Sequence, residues 1–275
     1  MTDTVGTPRR HGMGWQRDQP DPRDFVFFVN PTLPAVLPSR ADLRPQCNFP
    51  VFDQGQLGSC TANVIASAMM FHRNKMRQLP SFIPSRLFIY FNSRVALNTA
   101  NFDSGAQLRV ALKTAAKLGA CHEALWPYDA TSPEDENSPF THDMKAGQVP
   151  PPQAYLEAQN FQITRFQRVG RDLASLRGCL AEGFPFAFGI TLFKSFWDAA
   201  DQPLTTAPIP DLKLDDEDGR HAALAVGYDD DRQVFIVRNS WGAAVQDEGH
   251  FFLPYAYMLN PDLCADYWTI RSVES

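Results

Sequence analysis

Asp53-Gln54-Gly55-Gln56-Leu57-Gly58-Ser59-Cys60-Thr61-Ala62-Asn63 joins a glycine-rich loop to the start of a helix and sets one cysteine at the junction. Beyond it Ala62, Ile65, Ala66 and Met69 recur at i, i+3, i+4 and i+7, the period of a helix with one buried face. Cys60 therefore falls in the first helical turn. There the unpaired backbone N–H groups and the positive end of the helix dipole favour a thiolate over a thiol. Cysteine is also a common small core residue, so partners elsewhere in the chain must decide whether Cys60 is a nucleophile.

The 275 residues are 44% hydrophobic, enough for a large core in one big domain or two small ones. Lys+Arg 25 against Asp+Glu 31 gives a net charge of −6, which leaves no basic footprint for nucleic acid. The longest apolar run, Phe184 to Phe193, is interrupted by Pro185 and Gly189 and is too short to cross a bilayer, so no membrane partner is expected. No apolar stretch follows Arg9, Arg10 and His11. A secretory signal peptide is therefore not expected, and a cytoplasmic location is the default, with export by another route left open. Cysteines 47, 60, 121, 179 and 264 show no CxxC or other metal-ligand spacing, and the histidines show no HExxH pattern. No metal and no cofactor is expected, and all five thiols are expected to be reduced.

Residues 1–40 form a distinct opening segment. Prolines at 20, 22, 31, 34 and 38 make it extended, and its apolar residues cluster at Trp15 and at Phe25 to Val29. Two readings stand, a belt packed across the main domain and a pro-segment lying in a cleft. After the Cys60 helix, Ser85 to Leu97 and Gln107 to Leu118 read as helices, the first capped by Ser85 and the second ended by Gly119. Asp129 to Gln153 is polar and proline-rich, a surface connection. From there the composition changes: Ala154 to Val169 reads as strand, Asp172 to Glu182 as helix and Phe184 to Phe193 as a buried strand.

His221 to Tyr228 and Gln233 to Asn239 are strand-like runs separated by Asp229-Asp230-Asp231-Arg232, a turn signal. A turn centred on Asp230 sets His221 directly opposite Asn239. Facing residues in antiparallel strands have Cβ atoms roughly 4.5–5.5 Å apart, within reach of an asparagine oxygen bonding an imidazole N–H. Such a bond fixes the tautomer and aims the other ring nitrogen outward, as an orienting group does in a nucleophile, base and orienter set.

Gln54-Gly55-x-x-Gly58-Ser59-Cys60, His221-Ala222-x-x-Ala225-Val226-Gly227-Tyr228 and Asn239-Ser240-Trp241-Gly242 together resemble, in order and spacing, the catalytic blocks of the papain family of cysteine peptidases. Leu43-Arg44, Ser104-Gly105 and Trp126-Pro127-Tyr128 add to the likeness, which covers roughly residues 37 to 275 and is similar to a bacterial branch of the family. The resemblance implies an α+β, papain-like two-lobe fold. Residues 1–36 would be an N-terminal pro-like segment and 37–275 the peptidase domain, with a helical left lobe about 37–130 and a β-barrel-like right lobe about 154–275.

The implied activity is peptide-bond hydrolysis through a Cys60 thioester with His221 as acid and base, oriented by Asn239, and with Gln54 donating to the oxyanion. Peptide or protein would be the substrate. Ser104 and Gly105 would meet its backbone, Ala222 would line a side-chain pocket, and Trp241 would shield the His221–Asn239 bond. The alternatives are an acyl transferase or peptide ligase with the same site, or a catalytically silent papain-like binding module.

Four departures from the family pattern accompany the likeness. Leu57 stands where many members carry a cysteine, Thr61 where an aromatic residue is usual, Ser104 in place of a first glycine, and Ala243 to Asp247 in place of a glycine- and tryptophan-rich loop. The opening segment is far shorter than the family's helical pro-domain and is expected to occupy or border the cleft. The acidic run Asp215 to Asp218 is either a solvated loop or a cleft rim that attracts basic substrates.

Overall fold

A computed structural model describes residues 12–27, 36–77, 82–135, 137–200 and 206–274. In chain order its elements are β1 Trp15–Gln16, β2 Arg40–Asp42, α1 Cys60–Lys75, α2 Arg86–Ala96, β3 Ala106–Gln107 and α3 Leu108–Leu118. They continue with α4 Pro152–Ala158, β4 Ile163–Arg168, α5 Leu173–Ala181, β5 Phe186–Phe193 and α6 Lys194–Ala200. The last are β6 Glu217–Asp229, β7 Val234–Arg238, β8 His250–Pro254, α7 Tyr255–Leu259 and β9 Cys264–Val273.

Helix α1 is the axis of the molecule. Every residue from Cys60 to Arg73 is buried, polar ones included, so the one-faced helix expected from its period is covered on all sides. Helices α2 and α3 pack on one side of it and strands β5, β6 and β9 on the other. Its polar end is satisfied across that second contact, where His72 Nε2 meets the Arg271 carbonyl at 2.9 Å and Arg73 donates to the Glu274 carbonyl at 2.8 Å. His72, Arg73 and Lys75 in the last turn also suit the negative end of the helix dipole.

The remaining helices start where the sequence places caps. The Ser85 hydroxyl accepts the Phe88 N–H at 3.1 Å, Asp172 accepts the Ser175 N–H at 2.8 Å, and α3 stops at Gly119, whose φ of 75° a side chain would resist. Helix α4 is a correction, because Ala154 onward was expected to be strand. Pro152 opens the helix without losing a bond, and Ala154 and Ala158, four apart, bury one face.

The second half builds an antiparallel sheet of seven strands in the order β4-β9-β5-β6-β7-β8, with β2 added beside β6. The barrel-like lobe is thus an open sheet, since its two end strands do not pair with each other. Strand β5 is buried over all eight residues, as its apolar run requires.

The hairpin of β6 and β7 departs from the expected register. Leu224 pairs with Arg238 and Ala225 with Val237, and a shift past Val226 brings Gly227 opposite Ile236. Asp230 to Gln233 make the connection, with Gln233 at a φ of 54°. The ladder therefore runs two residues away from the one that pairs His221 with Asn239. An even displacement keeps both side chains on the same face of the sheet, one diagonal step apart.

Residues 12–27 lie across the body of the protein as a strap. Strand β1 pairs in parallel with β3, Trp15 beside Ala106, and Phe27 docks through its N–H on the Arg168 carbonyl at 2.7 Å. The strap is held by buried polar contacts. Asp18 accepts the Trp268 indole N–H at 2.8 Å and the Arg109 backbone N–H at 3.1 Å, its own N–H reaches Asp266 at 2.7 Å, and Asp24 takes Arg109 Nε at 3.0 Å. Phe28 and Val29 of the expected apolar cluster lie outside the described residues. All five cysteines are free and buried.

Candidate active site

The loop before α1 is fixed from three directions. Gly58 N–H donates to both oxygens of Asp103, at 3.0 and 3.1 Å, and Tyr90 hydroxyl donates to the same carboxylate at 2.5 Å while accepting the Gly105 N–H at 3.0 Å. Tyr128 hydroxyl lies 2.6 Å from the Ser59 hydroxyl and donates to the Gln54 carbonyl at 3.0 Å. Across the molecule Gln54 N–H bonds the Ser240 carbonyl at 2.9 Å, and the Ser240 hydroxyl donates to Gln54 Oε1 at 2.6 Å. This last bond settles which way the Gln54 amide points: its oxygen is taken, and Nε2 donates to the carbonyls of Leu57 at 3.0 Å and of Gly12 in the strap at 2.7 Å.

His221 sits in β6, paired with Ile190 of β5, and is 1% exposed. Its Nε2 lies 2.9 Å from Asn239 Oδ1, so the bond expected from the sequence forms despite the altered register. The amide orientation of Asn239 is determined by its other contacts. Oδ1 also accepts the Ser240 N–H at 2.8 Å, and Nδ2 donates to Gln246 at 3.1 Å. An oxygen at that place can only accept, so His221 carries its proton on Nε2.

Trp241 covers this pair, with its ring 4.8 Å from that of His221, and Trp197 stacks on Trp241 at 4.9 Å. The stack continues to Asp218, which accepts the Trp197 indole N–H at 2.5 Å. Trp197 and Gln246 escaped the sequence reading because no local pattern ties them to His221. The acidic run is engaged locally, with Asp216 paired to Lys194 at 2.6 Å and Glu217 to Arg220 at 3.0 Å.

Cys60 is wholly buried, and the backbone N–H groups of Ala222, Gly14 and Thr61 are directed at its sulfur. Burial dominates even so and pushes its thiol up to about 11, with the Asp103 charge adding to the rise. The thiolate expected at a helix start is thus not favoured while the strap covers the sulfur. Gly105, at a φ of 71°, lies so close to the strap that a Cβ there would stand 1.9 Å from the Gly14 carbonyl oxygen. Ala106 N–H bonds that oxygen at 2.8 Å, and the neighbouring Ser104 carbonyl accepts Gln16 Nε2 at 2.7 Å. The structure therefore brings Gln54, Cys60, Ser104, Gly105 and Ala222 to one strip under residues 12–16, beside His221, Asn239 and Trp241.

Residues 37–258 match the model of the papain family of cysteine proteases. An uncharacterized peptidase C1-like protein of Acanthamoeba polyphaga mimivirus is 35% identical over 285 residues, covering 94% of this chain and 86% of that one. Xylellain, a cysteine protease from Xylella fastidiosa, is 42% identical, with a TM-score of 0.90 over 98% of this chain and 99% of its own. A procathepsin B from Trypanosoma congolense shares the fold, with a TM-score of 0.72 at 14% identity over 96% of this chain and 87% of its own. The chain belongs to the papain family and is a cysteine peptidase acting on peptide or protein.

Proposed function

We propose that Cys60, His221, Asn239 and Gln54 are the catalytic set, and that the segment 1–36 is a pro-like strap on a peptidase domain of 37–275. The lobes of that domain are about 37–130 and 154–275. The observation that carries the assignment is the His221–Asn239 bond of 2.9 Å, with the Asn239 amide turned so that Nε2 bears the proton. Nδ1 is then the nitrogen that exchanges a proton with Cys60. As the sulfur attacks the substrate carbonyl, His221 returns that proton to the leaving amine; it then deprotonates the water that releases the acid from the thioester. The Gln54 Nε2–H donates to the developing oxyanion, a place the Gly12 carbonyl takes in this structure. Ser104 and Gly105 hold the substrate backbone as they hold the strap, Ala222 lines a side-chain pocket, and Trp241 keeps water from the His221–Asn239 bond.

The strap is suited to shutting the site. It presents the Gly14 N–H to the sulfur, fills the Gln54 donor with the Gly12 carbonyl, and deprives the thiol of water. Acid-quenched reaction with a peptide ester, followed by mass mapping, tests the set. Acylation of the Cys60 peptide, absent in Cys60→Ala, is expected. Turnover retained by Cys60→Ala would overturn the assignment.

A further inference from the structure

Asn239 is tied to one turn through both its backbone and its side chain. Its N–H donates to the Gly249 carbonyl at 2.9 Å, and its Nδ2 donates to Gln246 Oε1 at 3.1 Å. The turn closes on itself: Asp247 N–H bonds the His250 carbonyl and His250 N–H the Asp247 carbonyl, each at 2.9 Å. Its central residues, Glu248 and Gly249, both have positive φ, as a tight hairpin turn requires. Three further contacts hold it. The His250 ring donates from Nδ1 to the Glu248 carbonyl at 3.0 Å, Gly249 N–H bonds the Val245 carbonyl at 2.9 Å, and Asp247 accepts from Arg44 at 3.1 Å. Arg44 is in turn held by Asp42 of β2 at 2.7 Å.

The residue that reaches from this turn to Asn239 sits in an unfavourable backbone conformation. Gln246 has a φ of 58°, where a Cβ crowds the main chain and glycine or asparagine is the usual occupant. A strained residue persists where its surroundings over-determine it, and such residues concentrate at functional sites. The bond made by the Gln246 side chain goes to the very amide that orients His221.

That amide needs a second hold. The last side-chain torsion of asparagine is a broad, two-fold one. The Ser240 N–H, at 2.8 Å, settles which end of the amide faces His221, but it and the imidazole both meet the same atom, Oδ1. Two bonds through one atom leave the amide plane free to swing about it. A third bond, at Nδ2, fixes the plane.

We propose that Gln246 is a positioning residue for His221: by holding Nδ2 it keeps Asn239 Oδ1 in line with the Nε2–H bond, and so stabilises the imidazolium that forms when Cys60 passes its proton to Nδ1. The proposal rests on the peptidase site argued above and extends it to a residue that touches neither the substrate nor the reacting atoms.

Two readouts on the full-length chain test it. Gln246→Gly, Gln246→Leu and Gln246→Glu are compared in a Trp15→Ala background, which removes the buried anchor of the strap, by melting temperature and by peptide hydrolysis across the neutral and alkaline range. Glycine suits the backbone, so its melting temperature is expected to hold or rise while kcat/KM falls at least fivefold and the alkaline limb of the profile moves to lower pH. Leucine fills the space without an acceptor and is expected to lose as much activity. Glutamate accepts from Nδ2 and adds a negative charge, so activity within twofold of the parent and an alkaline limb moved to higher pH are expected. Activities that follow melting temperature across the three variants, a Gln246→Gly chain within twofold of its parent, or a Gln246→Glu chain as impaired as Gln246→Leu would overturn the proposal.

The second readout needs no turnover. In Cys60→Ala labelled with ¹⁵N-histidine, the His221 Nε2 proton is followed by NMR, and adding Gln246→Gly is expected to speed its exchange with water at least tenfold. Faster exchange, in a protein whose Cys60-bearing form hydrolyses nothing, would uphold the hold of Gln246 on the His221–Asn239 pair and refute the catalytic assignment. Unchanged exchange would refute the positioning role.

Discussion

At the scale of single residues the proposed chemistry turns on two amides. Asn239 has its oxygen toward both His221 and the Ser240 N–H, and Gln54 has its oxygen on the Ser240 hydroxyl and its nitrogen toward the cleft. Ser240 therefore sets the direction of both. Asn239→Ala leaves a buried imidazole N–H without an acceptor, a cost of about 1–3 kcal/mol. At 1.4 kcal/mol per tenfold, kcat/KM in an unlatched background is expected to fall roughly ten- to a hundredfold, as steady-state peptide hydrolysis will measure. Gln54→Ala removes the donor we assign to the oxyanion and is expected to lower kcat by about 10²–10³ with little change in KM, because the bond strengthens only as charge develops.

These residues were legible in the sequence because Gln54, Cys60, His221 and Asn239 occur in short blocks whose spacing a fold family preserves. The His221–Asn239 contact was anticipated through a register that is wrong by two residues. It survived because side chains in a strand repeat every second position. Trp197 was not legible, since only the folded sheet brings α6 over Trp241.

Among elements, the loop before α1 depends on one carboxylate. Asp103 takes the Gly58 N–H and, through Tyr90, the Gly105 N–H, so it links the Cys60 loop to the strand that holds the strap. Asp103→Ala strands two buried donors and is expected to lower the melting temperature by several degrees, at about 2–4 °C per kcal/mol for large domains. Asp103→Asn keeps one acceptor oxygen and is expected to recover part of the loss; calorimetry of the two variants checks both.

Helices α2, α3 and α5 matched the sequence because their caps are local. Helix α1 was misjudged as one-faced because its second covering layer, β5, β6 and β9, lies more than a hundred residues further along the chain. The strap was legible as an extended segment in search of a docking place. Its seat was not, because a parallel pairing of two residues, Trp15 and Gln16, leaves no pattern of its own.

For the molecule as a whole, latching and pH are linked through Asp18. Burial, with the Asp266 charge second, raises its carboxyl to about 6, against the N–H donors of Trp268 and Arg109 and the Arg109 charge. The groups facing it are Asp266 and Trp268 from β9, Arg109 from α3 and Arg168 from β4, with Asp24 of the strap paired to both arginines. Released, Asp18 would return to the ordinary value near 3.9. A carboxyl raised in the docked state favours docking below the free value and loses that contribution as pH rises through about 6. The strap is therefore expected to loosen as pH rises from 4 to 7. Asp18→Asn removes the titrating group, and its ratio of Cys60 labelling rate to that of wild type is expected to vary across this interval for that reason.

The most direct test of a strap-gated Cys60 nucleophile is the rate of covalent labelling by an epoxysuccinyl inhibitor, read by intact mass at pH 7 on wild type, Trp15→Ala and Cys60→Ala. One adduct that forms faster on Trp15→Ala than on wild type, and never on Cys60→Ala, is the predicted result. An adduct that persists in Cys60→Ala, or equal rates with and without the Trp15 indole, would contradict it.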